Sequence, residues 1–325
     1  MEPARSIVTG AAGFIGSHLT RALLAAGGEV VGIDCFTPYY SPAAKHQNLA
    51  RVMAHPRFRL VVADLAELDL DGVLAFGDVV FHLSGQPGVG SSWGPGFTDH
   101  LRNNVHVTQR VLEAAARRGV GRVVYASSSS VYGDATVPML EDGPKRPLSP
   151  YGVTKLAGEQ LCLMFGRHSH LPVVPLRLFS VYGPGQRPDM VFSRFIAAIV
   201  TGSPISIRGD GSQRRDFTYV SDVVTALQVA AQRAQPGVAV NVGRGTAVSL
   251  LDAVVVLERL LGRSAHLAWH PAMACEAHDT LADTVRLHAI GAATRVALEE
   301  GLERQVAWHL DGSGPRRVAV QRPAA

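Results

Sequence analysis

Short apolar runs alternate with longer stretches of helical spacing through the first half of the chain. The runs Ser6–Thr9, Glu29–Asp34, Arg59–Ala63, Asp78–Ser84, Arg122–Ser127 and Val173–Phe179 read as strands. Between them Ile15, Leu19 and Leu23 share a helical face, as do Val105, Val111, Leu112 and Ala115. Strands apolar on both faces and separated by helices predict a parallel sheet covered on both sides. After Phe179 the rhythm changes. The turn residues of Tyr182–Asp189 predict a loop, followed by a helix near Phe192–Thr201. Strands are expected at Asp216–Val220 and Val238–Val242, with a helix near Ser221–Ala231 between them. The rest, to about Leu310, reads as smaller mixed structure, and Asp311–Ala325 as a loose tail. The fold class is α/β: a doubly wound parallel sheet from 1–179 and 215–243, with a smaller mixed α/β lobe from 180–214 and 244–310. A cleft is expected between them.

Composition narrows this reading. With 47% apolar and 18% charged residues in 325, the chain can bury a large core, which excludes wholesale disorder. A formal net charge of +4, dispersed along the chain, argues against a nucleic-acid binder but allows an anionic small ligand. Three widely spaced cysteines, Cys35, Cys162 and Cys275, make neither a disulfide framework nor a zinc set, so a reducing cytoplasm is expected. No apolar stretch is long enough to predict a membrane span, and the first residues leave no room for a signal peptide. The histidines lack partners at metal spacing, and His18 reads as a structural residue on a helix.

Two constellations carry chemistry. Thr9-Gly10-Ala11-Ala12-Gly13-Phe14-Ile15-Gly16 follows a strand and opens a helix. Glycines there permit a tight turn and let backbone amides approach a pyrophosphate at the positive end of the helix. This is the signature of a Rossmann domain. Asp34 ends the second strand, where a carboxylate accepts hydrogen bonds from a ribose and repels a 2′-phosphate, favouring NAD over NADP. The second constellation is Ser127-Ser128-Ser129-Ser130-Val131-Tyr132 with Tyr151-Gly152-Val153-Thr154-Lys155. Tyr151 and Lys155 lie four apart and share one helical face. An ammonium beside the phenol is expected to lower its pKa from about 10, making a general base for a sugar hydroxyl.

These residues make the chain similar to the extended short-chain dehydrogenases/reductases, in the branch of nucleotide-sugar epimerases and dehydratases. The marks are TGAAGFIGSHL at 9–19, Asp64-Leu65, Phe81-His82-Leu83, ASSSSVYG at 126–133, SPYGVTK at 149–155, LRLFSVYGPGQRPD at 176–189 and GDGSQRRDFTYVSDV at 209–223. The resemblance implies NAD along Gly10, Gly13, Phe14, Ile15, Gly16, Asp34, Asp64, Leu65, Leu83, Asn104, Tyr151 and Lys155. It implies catalysis by Ser128, Tyr151 and Lys155, and diphosphate contact by Arg215. It also implies a homodimer formed by the helices near Leu101–Ala116 and Lys155–Phe165.

Within that branch, dehydratases carry an Asp-Glu pair before Val-Tyr-Gly, where Ser129 and Ser130 stand here. Hydroxyls do not replace those carboxylates as acids and bases near neutral pH, so epimerisation is favoured. SPYGVTK and VYGPGQRPDM look most like UDP-glucuronate 4-epimerases, which would set Arg187 against a sugar carboxylate with Ser129, Ser130 and Ser180 beside it. Two departures stand against this. Gly90 and Met273 occupy positions where arginines are usual, and Glu276 stands for a ribose-binding aspartate. A neutral UDP-hexose, an ADP-linked sugar, a dehydratase or ketoreductase activity, and a silent NAD-binding scaffold stay open as alternatives.

Overall fold

The computed structural model describes residues 5–272, 275 and 277–311. Glu276, Met273 and the tail beyond Asp311 lie outside the described residues. The chain begins β1 (Ser6–Thr9), α1 (Phe14–Ala25), β2 (Val30–Asp34), α2 (Pro42–Leu49), β3 (Phe58–Val62) and β4 (Val79–His82). Next come α3 (Phe97–Leu101), a π turn at Arg102–His106 and α4 (Val107–Arg118), which run on as one continuous helix. Then follow β5 (Arg122–Ser128), α5 (Pro150–His168), β6 (Val173–Leu178), β7 (Ser180–Tyr182) and α6 (Val191–Thr201). After β8 (Ile205–Arg208) and β9 (Arg214–Tyr219) come α7 (Val220–Arg233), β10 (Val240–Val242) and β11 (Ala247–Ser249). The described chain closes with α8 (Leu250–Leu261), β12 (Leu267–His270), α9 (Val285–Ala289) and α10 (Leu298–Leu310).

Seven strands form one parallel sheet in the order β10-β6-β5-β4-β1-β2-β3. Its faces follow the two-residue period of a strand. Ile7, Val123 and Tyr125 point into a core with Val111 and Leu112 of α4. Val8, Val124 and Ala126 point the other way, into a larger core with Leu19 of α1 and Val223 and Leu227 of α7. Each buried valine, leucine or isoleucine among these contributes roughly 1.5–3 kcal/mol. The sequence expectation of a doubly wound sheet is met, and the order reverses between β1 and β4. Ligands bind at that point, outside the carboxyl ends of the strands.

The smaller sheets join β11-β9-β7 and β12-β8. The strand expected at Asp216–Val220 runs from Arg214 to Tyr219, because Val220 opens α7 instead. Tyr182 is strand rather than loop, since β7 pairs with β9 in the register Tyr182 to Tyr219. Among the described residues no helix is long and apolar enough to cross a membrane.

Candidate active site

β1 ends at Thr9, and the chain turns through Gly10, whose φ of 70° is a left-handed conformation that glycine adopts freely. Gly13 caps α1 without a side-chain bond, leaving the first amides of the helix facing the cleft. A Cβ at Gly16 would lie 2.1 Å from the Gly10 carbonyl oxygen, so only glycine allows this close packing of turn on helix. These bare backbone groups fit a pyrophosphate.

His82, noted from sequence only as part of Phe81-His82-Leu83, fixes the floor. The Thr9 hydroxyl contacts His82 Nδ1 at 2.9 Å and accepts the amides of Leu83 and Ser84 at 3.1 and 3.2 Å. His82 Nε2 meets the Thr108 hydroxyl at 3.1 Å, which donates to the Asn104 carbonyl at 2.8 Å. One tautomer satisfies the chain: Thr9 donates to Nδ1, and Nε2–H donates to Thr108. Burial, with Lys155 nearby, pushes the His82 pKa down to about 3. Burial, with Arg21, pushes that of His18 to about 4, while His18 Nε2 donates to the Pro184 carbonyl at 2.7 Å. An unfolded histidine, near 6.5, takes up protons that these two refuse, so stability is lost as pH falls from about 6.5 toward those values. The melting temperature should drop across that window, and a His82→Asn variant should show a shallower drop. An unchanged slope would remove His82 from the account.

Asp34 closes the far end. Its Oδ2 accepts the Ala12 amide at 3.1 Å and its Oδ1 the Phe36 amide at 2.8 Å. Lys45, buried on α2, brings Nζ to 3.9 Å from Oδ1, bonds the Thr37 hydroxyl at 3.1 Å and lies over the Tyr40 ring. Asp64 meets Arg102 at 2.8 Å. Burial acts to raise the Asp64 carboxyl, but the Ala66 amide and Arg102 outweigh it and hold the pKa low.

Ser149 caps α5, accepting the Gly152 amide at 3.1 Å, and Pro150 begins the helix. Tyr151 and Lys155 then face the cleft on successive turns. Ser128 ends β5, where its hydroxyl accepts the Ser130 amide at 3.1 Å and reaches the Tyr151 phenol. Here one expectation is corrected. Burial raises the Tyr151 pKa above its ordinary value, opposed by Ser128 and Arg187 rather than by Lys155. The Lys155 ammonium lies over the Tyr125 ring at 4.7 Å instead, and burial pushes its own pKa down to about 8 against the pull of Cys162 and Glu159. Helical spacing placed both groups on one face but gave no measure of their desolvation. The His100 ring meets Tyr151 edge-on at 5.8 Å. The π turn carries buried Asn104, whose amide takes Gln86 on both sides and Thr154 at 3.0 Å.

These elements frame one cleft of about 450 Å³. It brings together Gly10, Gly13, Phe14, Ile15, Gly16, Asp34, Asp64, Leu65, Leu83, Asn104, Ser128, Tyr151 and Lys155 with Ser129, Ser130, Ser180 and Arg187. Arg187 forks onto Asp189, Nε at 3.0 Å and Nη2 at 3.1 Å. Arg215 does not line the cleft; on β9 its Nη1 donates to the His278 carbonyl at 2.7 Å. Tyr39, Tyr40, Lys45 and Gln86 line the cleft unpredicted. The signal for Lys45 was Ser41-Pro42, a helix start, with Leu49 one turn beyond the lysine. Among the described residues no group of three His, Cys, Asp or Glu side chains is placed to hold a metal.

Residues 6–243 match the model of the NAD dependent epimerase/dehydratase family. YtcB of Bacillus subtilis (strain 168), named an uncharacterized UDP-glucose epimerase, is 41% identical, with 93% of this chain and 96% of that protein covered. The structure of UDP-glucuronic acid 4-epimerase from Bacillus cereus, solved with UDP-glucuronic acid and NAD, superposes with a TM-score of 0.92 at 39% identity, covering 94% of this chain and 99% of that one. MoeE5, solved with UDP-glucose and NAD, gives 0.86 at 44% identity, covering 95% and 99%.

Proposed function

Because the chain belongs to the NAD dependent epimerase/dehydratase family, we propose that it is an NAD-dependent 4-epimerase of a nucleotide sugar, with UDP-glucuronate its favoured substrate. The observation that carries this is the meeting of Ser128, Tyr151, Lys155 and Arg187 with the glycine turn in one cleft. NAD would lie along the residues of the glycine turn, Asp34, Asp64, Leu65, Leu83 and Asn104, and bound NAD supplies the acceptor and donor of the C4 hydride. Tyr151 takes the proton of the C4 hydroxyl and returns it after the 4-keto sugar has turned over. Ser128 holds the same oxygen by a hydrogen bond, and Lys155, lining the cleft one turn from Tyr151, would help hold NAD. Arg187 would take the sugar carboxylate, with Ser129, Ser130 and Ser180 as smaller polar contacts. Arg215 would meet the diphosphate.

The carboxylates among the described residues lining the cleft are Asp34 and Asp64, both at the ribose end. Neither stands beside Ser129 and Ser130 to run an elimination, which favours inversion over dehydration. Proton NMR of the enzyme with UDP-glucuronate should show the C4 epimer accumulating. Arg187→Ala should lower kcat/KM for it by about ten- to hundredfold, the worth of one lost charge-assisted bond. Inversion of UDP-glucose alone would move the assignment to a neutral hexose, and a 4-keto-6-deoxy product would make the chain a dehydratase.

We also infer two lobes, 1–179 with 215–243 for the cofactor and 180–214 with 244–310 for the sugar. Support comes from β10 returning to the parallel sheet. Exposed Phe97 and Leu101 on α3 and Val153 and Met164 on α5 support a homodimer through these helices. A sedimentation mass of one chain would remove the dimer. Cys35 presents an exposed thiol in the cleft, which fits a reducing cytoplasm.

A further inference from the structure

Arg187, the residue assigned above to the sugar carboxylate, already has a carboxylate in its fork. Asp189 lies two residues on in the same loop and takes Nε at 3.0 Å and Nη2 at 3.1 Å. The two side chains differ in setting: that of Arg187 is 20% exposed and faces the cleft, while that of Asp189 is 41% exposed at its rim. Tyr39 touches both, its ring 5.8 Å from the guanidinium and its hydroxyl donating to Asp189 Oδ2 at a long 3.4 Å.

We propose that Asp189 is a counter-ion that the sugar's own carboxylate displaces, so that the Arg187–Asp189 pair sets the choice between anionic and neutral sugars. The inference rests on the uronate reading above. A guanidinium fork matches two carboxylate oxygens, and Asp189 occupies the fork through Nε and Nη2. A uronate entering with Asp189 in place would leave two carboxylates sharing one cation, and like charges at such range repel. The pair must therefore open. Its opening is cheap, because an ion pair with one partner at the surface is weakly held. The incoming carboxylate then makes the same two bonds deeper in the cleft, where water screens them less. A neutral sugar brings nothing to exchange and meets an arginine already satisfied. Asp189 thus keeps the resting cleft near neutral and makes the uronate compete for its site.

Calorimetric titration of the NAD-loaded protein with UDP-glucuronate and with UDP-glucose separates the possibilities. Asp189→Asn should tighten UDP-glucuronate by about two- to fivefold, the span of an exposed pair. UDP-glucose binding should stay level or weaken. Asp189→Ala should do the same, and both variants should melt close to the parent because the side chain lies at the rim. Weaker UDP-glucuronate binding in both variants would make Asp189 a support that aims Arg187, and unchanged binding would mean that no competition exists; either result overturns the proposal. If the parent protein does not distinguish the two sugars and Arg187→Ala alters neither, the uronate reading itself fails and takes this inference with it.

Discussion

Replacing Tyr151 with phenylalanine should lower kcat for sugar inversion by about two to four orders of magnitude, the range that a single general acid–base group supplies. Binding of the nucleotide sugar should stay within about threefold of the parent. The ring remains, and with it the edge-on contact to His100 at 5.8 Å and the packing of α5, while the one oxygen that moves a proton is gone. No hydroxyl nearby can take over. Ser128 reaches the same oxygen, but a serine hydroxyl is a far weaker acid than a phenol and cannot carry the proton in its place. Lys155 stands over Tyr125 rather than at the hydroxyl being deprotonated. Steady-state rates with UDP-glucuronate, alongside extraction of the nucleotide retained by the purified variant, separate loss of chemistry from loss of cofactor. A variant that turns over at near the parental rate would make Tyr151 a packing residue and end the mechanism.

The inner strands of the parallel sheet were legible because they are apolar on both faces, as Ile7 and Val8 show by pointing into opposite cores. The glycine turn and the pair Tyr151 and Lys155 were legible for a related reason: their chemistry depends on short spacings that the local backbone enforces. What the pattern missed depends on distant pairing or on desolvation. β7 has three residues in a glycine- and proline-rich stretch, and becomes a strand only through its ladder with β9. α2 buries only Lys45 and Leu49, too small an apolar face to stand out from the polar residues around it. The π turn at Arg102–His106 has no composition of its own, yet it carries Asn104. The direction of the Tyr151 shift could not be read from spacing, since it follows from desolvation in the cleft. The Asp189 carboxylate was visible two residues from Arg187, but only the shape of that loop brings the two into a fork.

Beneath the catalytic residues lies an ion pair whose loss should be felt in both stability and rate. Glu159, wholly buried one turn beyond Lys155 on α5, accepts Arg177 Nε at 3.0 Å, Arg177 Nη2, and the Ser127 hydroxyl at 2.8 Å. Arg177 on β6 also donates through Nη1 to the Tyr132 hydroxyl and the Glu141 carbonyl, both at 2.7 Å. The pair therefore ties α5 to the strand that presents Ser128 and to the loop that follows it. Removing one partner leaves the other charged and buried, which costs about 3–5 kcal/mol, whereas replacing both with apolar residues is often close to neutral. Glu159→Leu should accordingly lower the unfolding free energy in urea by about that amount. The double variant Glu159→Leu with Arg177→Met should recover most of it. Its rate should not recover. Glu159 also acts to raise the Lys155 pKa against burial, the balance standing at about 8, so without Glu159 the ammonium is lost at a lower pH. The fall in kcat on the alkaline side should then begin earlier in the double variant than in the parent. A Glu159→Leu chain as stable as the parent would show that α5 is held by its apolar packing alone. A stable double variant with an unshifted pH profile would show that Glu159 does not reach Lys155.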